Sequence, residues 1–130
     1  MSRLFALIYL LTITFCSAQN KNNTSNNDSI MMTVVLRHQQ TNPVEAIQEK
    51  VMKQKFYEKL TSSHAKILSW NVVMGIGQIL TLKFSAQYLR EVNNVFEKGA
   101  WGGFNTEFYP TYDFLPVYPQ MLQKEKDLNK

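Results

Sequence analysis

Hydrophobic and polar residues follow two different periods along the body of the chain. Four runs rich in Val, Ile, Thr and aromatic residues are typical of β-strands. Between them, apolar residues recur every three or four positions, which predicts two amphipathic helices. The predicted strands are residues 31–38, 66–74, 78–84 and 105–114, and the predicted helices are residues 44–60 and 86–99. The predicted order is therefore strand, helix, strand, strand, helix, strand.

Local signals set the limits of these elements. Asn42 can cap the first helix, Pro43 suits its first turn, and Glu45 completes a capping box. The turn Gly75–Gly77 predicts an antiparallel hairpin between the second and third strands. Pro110 lacks the N–H that a central strand needs, so the last strand is expected at an edge or with a bulge.

The first residues have the features of a secretory signal. Arg3 provides a positive charge, residues 4–15 are mostly apolar, and Cys16, Ser17 and Ala18 are the small residues that precede a cleavage site. An N-terminal membrane anchor is the alternative, but the apolar stretch is short for a bilayer. We therefore expect residues 1–18 to be a signal peptide and the protein to be exported, to the periplasm or the medium.

The remaining organisation follows from composition. Residues 19–29 are rich in Asn, Ser and Thr, and predict a disordered linker. Residues 30–114 are expected to form the folded domain, and residues 115–130 an extended arm followed by a charged, mobile tail. The single cysteine, Cys16, lies in the predicted signal, so the mature chain would have no thiol chemistry.

Alternation along each strand predicts which side chains share a face. Leu80, Leu82 and Phe84 form the apolar face of the third strand, which we assign to the helices. Matching polarity adds residues from the other three strands: Met32, Val34, Leu36, His38, Leu68, Trp70, Val72, Met74, Phe108, Tyr112 and Phe114. The other face has mixed polarity and suits a sheet-on-sheet dimer contact.

The element order β-α-β-β-α-β is the ferredoxin-like pattern. A chain of this order, with the strand pair around Trp70 to Leu82 and the segment Trp101 to Asp113, resembles small members of the dimeric α/β-barrel superfamily. The resemblance implies an α+β fold with a four-stranded antiparallel sheet, two helices on one face, and a homodimer. It covers residues 31–114 and includes no catalytic motif, so it implies no particular reaction.

The helix side of the sheet provides the first candidate site. His38 would be a catalytic proton-transfer group, and Trp70, Met74, Trp101 and Tyr112 would bind a flat apolar ligand. The alternative is that Trp70 and Tyr112 belong to the core and that His38 is a hydrogen-bonded strand-end residue.

The opposite face provides the second candidate site. Arg37 and Lys83 could hold a carboxylate, with Asn71 and Tyr109 as hydrogen-bond donors. The alternative is that Arg37 forms an ion pair with Glu107, because a charge within a contact is usually paired.

Other chemistries find less support in the residues. Haem-degrading members of the superfamily use Asn, Trp and His, but Trp70 and Asn71 are strand neighbours that point to opposite faces. The two histidines, His38 and His64, have no carboxylate at a ligand-like spacing, so no metal site is predicted. The net charge of +4 is spread without a basic run, which argues against a nucleic-acid partner.

Together these observations predict an exported homodimer that binds a small, partly aromatic molecule without a cofactor. Such a protein could be a cofactor-free isomerase or oxygenase, and whether it is an enzyme at all stays open. The alternative is a non-catalytic binding or assembly module that uses the open sheet face.

Overall fold

The computed structural model describes residues 28–130. The strands are β1 (Ser29–His38), β2 (Lys66–Val73), β3 (Gly77–Ser85) and β4 (Phe104–Thr111). The helices are α1 (Val44–Lys53), α2 (Phe56–Thr61), α3 (Leu89–Gly99) and α4 (Tyr118–Leu128), and a short 3-10 helix (Ala86–Tyr88) leads into α3. The fold is α+β, as the sequence predicts.

The four strands form one antiparallel sheet in the order β2-β3-β1-β4. This arrangement is compatible with a ferredoxin-like fold. The edge position of β4 explains how Pro110, opposite Met32, is tolerated in a strand.

The core lies between one face of the sheet and the helices α1 to α3. Burial of these apolar side chains is the main favourable contribution to folding. They are Met32, Val34, Leu36, Ile47, Val51, Phe56, Leu60, Leu80, Leu82, Phe84, Val92, Val95, Phe96, Ala100 and Phe104.

The residues opposite the core define the open sheet face. Cross-strand partners point to the same side, so the register shows which residues share this face. They include Met31, Thr33, Val35, Arg37, Ser69, Asn71, Val73, Ile79, Thr81, Lys83, Asn105, Glu107, Tyr109 and Thr111. The polar residues that the sequence assigns to this face, Arg37, Asn71, Lys83, Glu107 and Tyr109, lie on it.

The first predicted helix is divided in two. Its single apolar stripe predicts one helix over residues 44–60, but Lys55 has a φ of 56° and separates α1 from α2. The left-handed conformation changes the direction of the chain, and Phe56 and Leu60 still reach the core. Asn42 does not cap α1: its side-chain amide donates to Gln39 instead.

A β-bulge in β2 changes the predicted alternation. Ile67 is opposite Leu82 and Ser69 is opposite Thr81, so Leu68 is an extra residue. Ile67 and Trp70 therefore share the helix side, whereas Leu68 is exposed. The placement of Leu68 in the core is wrong for this reason.

The C-terminal segment also differs from the expectation. Strand β4 ends at Thr111, and α4 stands where the sequence predicts an extended arm and a mobile tail. Pro119 lies at the start of α4, where its missing N–H costs no hydrogen bond. At the other end, Ser29 belongs to β1 and not to the linker, while the predicted signal 1–18 and linker residues 19–27 lie outside the described residues.

Candidate functional site

The five residues of the predicted helix-side site do not meet in one place. His38 and Trp101 lie at one end of the sheet, close to Phe104. The His38 ring stacks on Phe104 with 5.6 Å between ring centroids, and the Trp101 indole N–H donates to the Thr106 hydroxyl over 2.9 Å. His38 is therefore partly buried at a strand end, as in the alternative interpretation.

Trp70 lies farther along the sheet and belongs to the edge of the core. Its ring stacks on Tyr57 at 5.9 Å and meets Phe56 edge-on at 6.1 Å. The indole N–H donates to the Gln78 side chain over 2.6 Å. Across the sheet, Trp70 pairs with Leu80, and Leu80 pairs with Val34 of β1. Val34 precedes His38 by four residues on β1, so Trp70 and His38 are separated by ~14 Å along the strand direction.

Met74 and Tyr112 are at the surface. Met74 is in the turn after β2 and is 94% exposed, so it lines no core pocket. Tyr112 follows the end of β4 and is 74% exposed, whereas His38 is opposite Phe104 at the beginning of β4. Eight strand residues separate these two ends, which excludes a shared pocket.

On the open sheet face, three predicted polar residues form a cluster. Arg37 Nε donates to Glu107 Oε1, Arg37 Nη2 lies 3.5 Å from Glu107 Oε2, and the Tyr109 hydroxyl donates to Glu107 Oε2 over 2.7 Å. The hydrogen bond from the Arg37 guanidinium holds the pKa of Glu107 below its ordinary value. The same carboxylate raises the pKa of Arg37 and of Tyr109. The alternative interpretation, an Arg37–Glu107 ion pair, is confirmed.

Lys83 and Asn71 lie apart from this cluster. Lys83 is opposite Met31, which is six residues from Arg37 on β1, or ~20 Å along the strand. Arg37 and Lys83 therefore cannot hold one small carboxylate together. Asn71 is exposed on the outer strand β2, opposite Ile79.

A second polar cluster involves His64, which the sequence does not assign to a candidate site. His64 Nδ1 lies 2.9 Å from Glu91 Oε2, and its backbone N–H also donates to Glu91. The His64 ring stacks in parallel on Tyr88 with 3.7 Å between centroids. Hydrogen bonding by His64 lowers the pKa of Glu91. The sequence separation of 27 residues hides this pair, since it depends on where α3 begins.

The helix side of the sheet has a different cavity, which we call the α3 cavity. It has a volume of about 450 Å³ and lies between the first two turns of α3 and the sheet. The sheet side is apolar, with Met32, Phe84 and Phe108 from three different strands. Helix α3 adds Leu89, Arg90, Val92 and Asn93.

The polar groups of the α3 cavity are at its helix side. Arg90 is its only charged lining residue, and it forms no ion pair with any other residue in 28–130. The carboxylates of α3 are engaged elsewhere, Glu91 by His64 and Glu97 by the Asn93 amide over 2.7 Å. Arg90 is therefore available to an anionic group.

The sequence pattern predicts most of the apolar wall of this cavity but not its polar residues. Met32, Phe84, Phe108, Leu89 and Val92 all follow from strand alternation and helix period. Arg90 and Asn93 are three residues apart and therefore share a helix side, which was the available signal.

Three further observations limit the candidates. Within residues 28–130, no group of three or more His, Cys, Asp or Glu side chains is arranged to hold a metal ion. None of the helices in this range is long and apolar enough to cross a membrane. In comparisons with known proteins, no family model and no curated protein matches the chain.

Proposed function

We propose that this protein binds a small, mainly apolar molecule that carries an anionic group, and that the ligand occupies the α3 cavity. The observation that carries the proposal is an apolar cavity of about 450 Å³ lined by one charged residue, Arg90, that has no ion-pair partner among residues 28–130. Small-molecule sites are typically concave and apolar, with a few polar groups that fix orientation.

The size of the cavity limits the ligand. With ~30 Å³ for each water-sized group, the cavity accommodates on the order of ten to fifteen non-hydrogen atoms. Burial of the apolar part against Phe84, Val92 and Phe108 would drive binding, and Arg90 would select a carboxylate or a similar acid. Among the lining residues there is no carboxylate or imidazole, so the proposal concerns binding and assigns no proton transfer to His38.

Isothermal titration of the protein from an export-competent host with octanoate and octanol tests this function. Both probes have an apolar chain that fits the cavity, and only octanoate has a negative charge. Leu89→Trp should block binding of both, because Leu89 lines the cavity and is 48% exposed, so the larger side chain can enter it without disturbing the core. Val44→Trp is the matched control, since Val44 is 46% exposed on α1 and lies outside the cavity.

The role of Arg90 requires a second comparison. Arg90→Gln should weaken octanoate about fivefold, since an exposed charge pair contributes about 1 kcal/mol, and should leave octanol unchanged. Lys98→Gln removes the same charge from the far end of α3 and should have little effect. If Leu89→Trp binds each probe as tightly as the unchanged protein does, the α3 cavity is not the binding site.

We further propose that the domain has the ferredoxin-like βαββαβ arrangement and forms a homodimer of the dimeric α/β-barrel type through the open sheet face. The face supports this because it combines the partly exposed Ile79 and the half-exposed Tyr109 with a paired Arg37–Glu107. The charges of Arg37 and Glu107 are already neutralised within one chain, which reduces the cost of removing this pair from water, whereas Lys83 at the other end of the face has no ion-pair partner among residues 28–130. The predicted export is part of this proposal, so the ligand would be met outside the cytoplasm.

The open sheet face also favours a second candidate function, a non-catalytic assembly module. Ile79→Lys would place an unpaired charge at the centre of this face and should convert a dimer to monomers in sedimentation velocity measurements. Val44→Lys adds the same charge on the outer side of α1 and should leave the dimer intact. A dimer that tolerates Ile79→Lys would exclude the open sheet face as its interface. A dimer without binding of either probe would favour the assembly module.

A further inference from the structure

Asn93 is the one uncharged polar residue that lines the α3 cavity, and its side-chain amide has a fixed orientation. Its Nδ2 donates to Glu97 Oε1 over 2.7 Å, one turn later on the helix. An ionised carboxylate only accepts hydrogen bonds, so the amide nitrogen, and not the amide oxygen, must face Glu97. The orientation of this amide therefore follows from the chemistry of its partner.

The amide oxygen of Asn93 remains free at the cavity wall. Glu97 is not among the cavity residues, so the amide nitrogen is turned away from the cavity. Within residues 28–130, Asn93 Oδ1 has no hydrogen-bond partner, and Glu97 has no ion-pair partner that would draw its carboxylate away from the amide. The polar side chains of the cavity thus offer a ligand one acceptor, Asn93 Oδ1, and one positively charged donor, Arg90.

These two groups are neighbours, because residues three apart on a helix have Cβ atoms about 5–6 Å apart. We infer that the ligand of the α3 cavity, whose existence rests on the function proposed above, is an N-acyl amino acid. Its carboxylate binds to Arg90, its amide N–H donates to Asn93 Oδ1, and its acyl chain lies against the apolar wall. A single carbon separates the N–H from the carboxylate in such a compound, so both groups reach side chains that are one helical turn apart.

The fixed orientation of the Asn93 amide favours an N–H over a hydroxyl as the ligand's donor. A hydroxyl both donates and accepts, so it would bind to either end of an amide that turns freely. An amide N–H only donates, so it requires the oxygen that the bond to Glu97 leaves free. Glu97 is therefore a positioning residue, and its effect depends on the donor character of the ligand.

Glu97 also determines which way the ligand lies along the helix. It follows Arg90 by seven residues, which is ~10 Å along the helix axis. A ligand carboxylate would be repelled by Glu97 at that end, whereas Arg90 lies in the first turn of α3, where the helix dipole is positive. Both effects favour the acid group at the Arg90 end, with the N–H one turn farther along at Asn93.

Isothermal titration with two matched acids tests this inference. N-Hexanoylglycine is small enough for the cavity, and hexanoyloxyacetate has the same length and charge but an ester oxygen in place of the N–H. The protein should bind N-hexanoylglycine about fivefold more tightly, which corresponds to the ~1 kcal/mol of one hydrogen bond. Octanoate provides the reference for a ligand that has only the chain and the acid.

Side-chain variants assign this selectivity to the amide. Asn93→Leu keeps the approximate shape but removes the oxygen, so the ratio of the two affinities should fall to about one. Glu97→Leu should lower the same ratio, because the amide nitrogen can then turn to the cavity, whereas a purely structural loss would weaken both acids alike. Asn94→Leu is the matched control, since Asn94 is on α3 but outside the cavity, and it should leave the ratio unchanged. Arg90→Gln should weaken both acids to the same extent.

Each contrary result has a separate meaning. Equal affinities of the unchanged protein for the two acids would overturn the inference, and binding of octanoate in the same experiment would leave the proposed function standing. A ratio that persists in Asn93→Leu and Glu97→Leu would also overturn it, because the N–H would then be recognised by another group. If none of the three acids binds, the proposed function fails and the N-acyl amino acid fails with it.

Discussion

Gly99, near the end of α3, offers a test in which two known effects have opposite signs. An added Cβ at this position would lie 2.9 Å from Cδ2 and 3.0 Å from Cα of Phe56. Phe56 is the first residue of α2 and is fully buried, so its ring has no solvent to move into. The close approach of α2 and α3 depends on the missing side chain.

The two effects in Gly99→Ala can be compared in free energy of unfolding. Alanine favours the helix over glycine by about 1 kcal/mol. Extra volume in a closely packed core costs about 1–3 kcal/mol, and we expect the upper part of this range because one contact is with the Phe56 backbone. The net prediction is a destabilisation of about 1–2 kcal/mol.

Urea unfolding followed by far-ultraviolet circular dichroism measures this difference, with an unchanged dependence on urea as the sign of an unchanged unfolded state. Lys98→Ala is the control, because Lys98 precedes Gly99 and is exposed, and it should change stability by less than ~0.5 kcal/mol. Gly99→Ala should cost less in a Phe56→Leu background, where the Cδ2 contact is altered. An increase in stability on Gly99→Ala would refute the close contact of α2 and α3.

Further predictions concern the turn and the open sheet face. Gly77→Ala should destabilise the protein by more than ~3 kcal/mol in the same unfolding assay, because the added Cβ would lie 2.0 Å from the Leu36 carbonyl oxygen and Gly77 has a φ of 140°. Gly75→Ala is the control: an added Cβ there has free space, so this substitution should cost only the ~1 kcal/mol of a positive φ. Glu107→Gln should flatten the rise of thermal stability with pH in the acid range. The Arg37 guanidinium lowers the pKa of Glu107 in the folded state, so its contribution is present above the ordinary value of 4.5 and is lost as pH falls through the lowered pKa. Equal pH profiles for both proteins would contradict this contribution.

The order and type of the elements could be predicted from sequence because each follows from a local period. Leu80, Leu82 and Phe84 alternate with polar residues, and their burial in the structure follows this alternation. The assignment of Arg37 and Glu107 to the open sheet face holds for the same reason. Alternation is a property of each strand, so it needs no knowledge of the neighbouring strands.

Local irregularities were not predictable in this way. The sequence gives no glycine or asparagine at Lys55, where the left-handed residue divides the first helix. Leu68 is an apolar residue in an apolar run, and only the pairing of β2 with β3 shows that it is the extra residue of a bulge. In both cases tertiary packing of Phe56 and Trp70 selects a backbone conformation that the local sequence does not favour.

The predicted helix-side residues do not meet because residues on the same face of a sheet can still lie far apart along it. His38 and Tyr112 were assigned to the same side of the sheet, but their separation along β4 depends on the register His38–Phe104, which alternation does not determine. The α3 cavity also depends on a non-local feature, the packing of the first turns of α3 against Phe84 and Phe108 of the sheet. Its position brings Arg90 to an apolar wall and leaves its guanidinium unpaired among the described residues. An unpaired cation beside an apolar cavity is the feature from which binding can be argued, and it arises from how the helix meets the sheet.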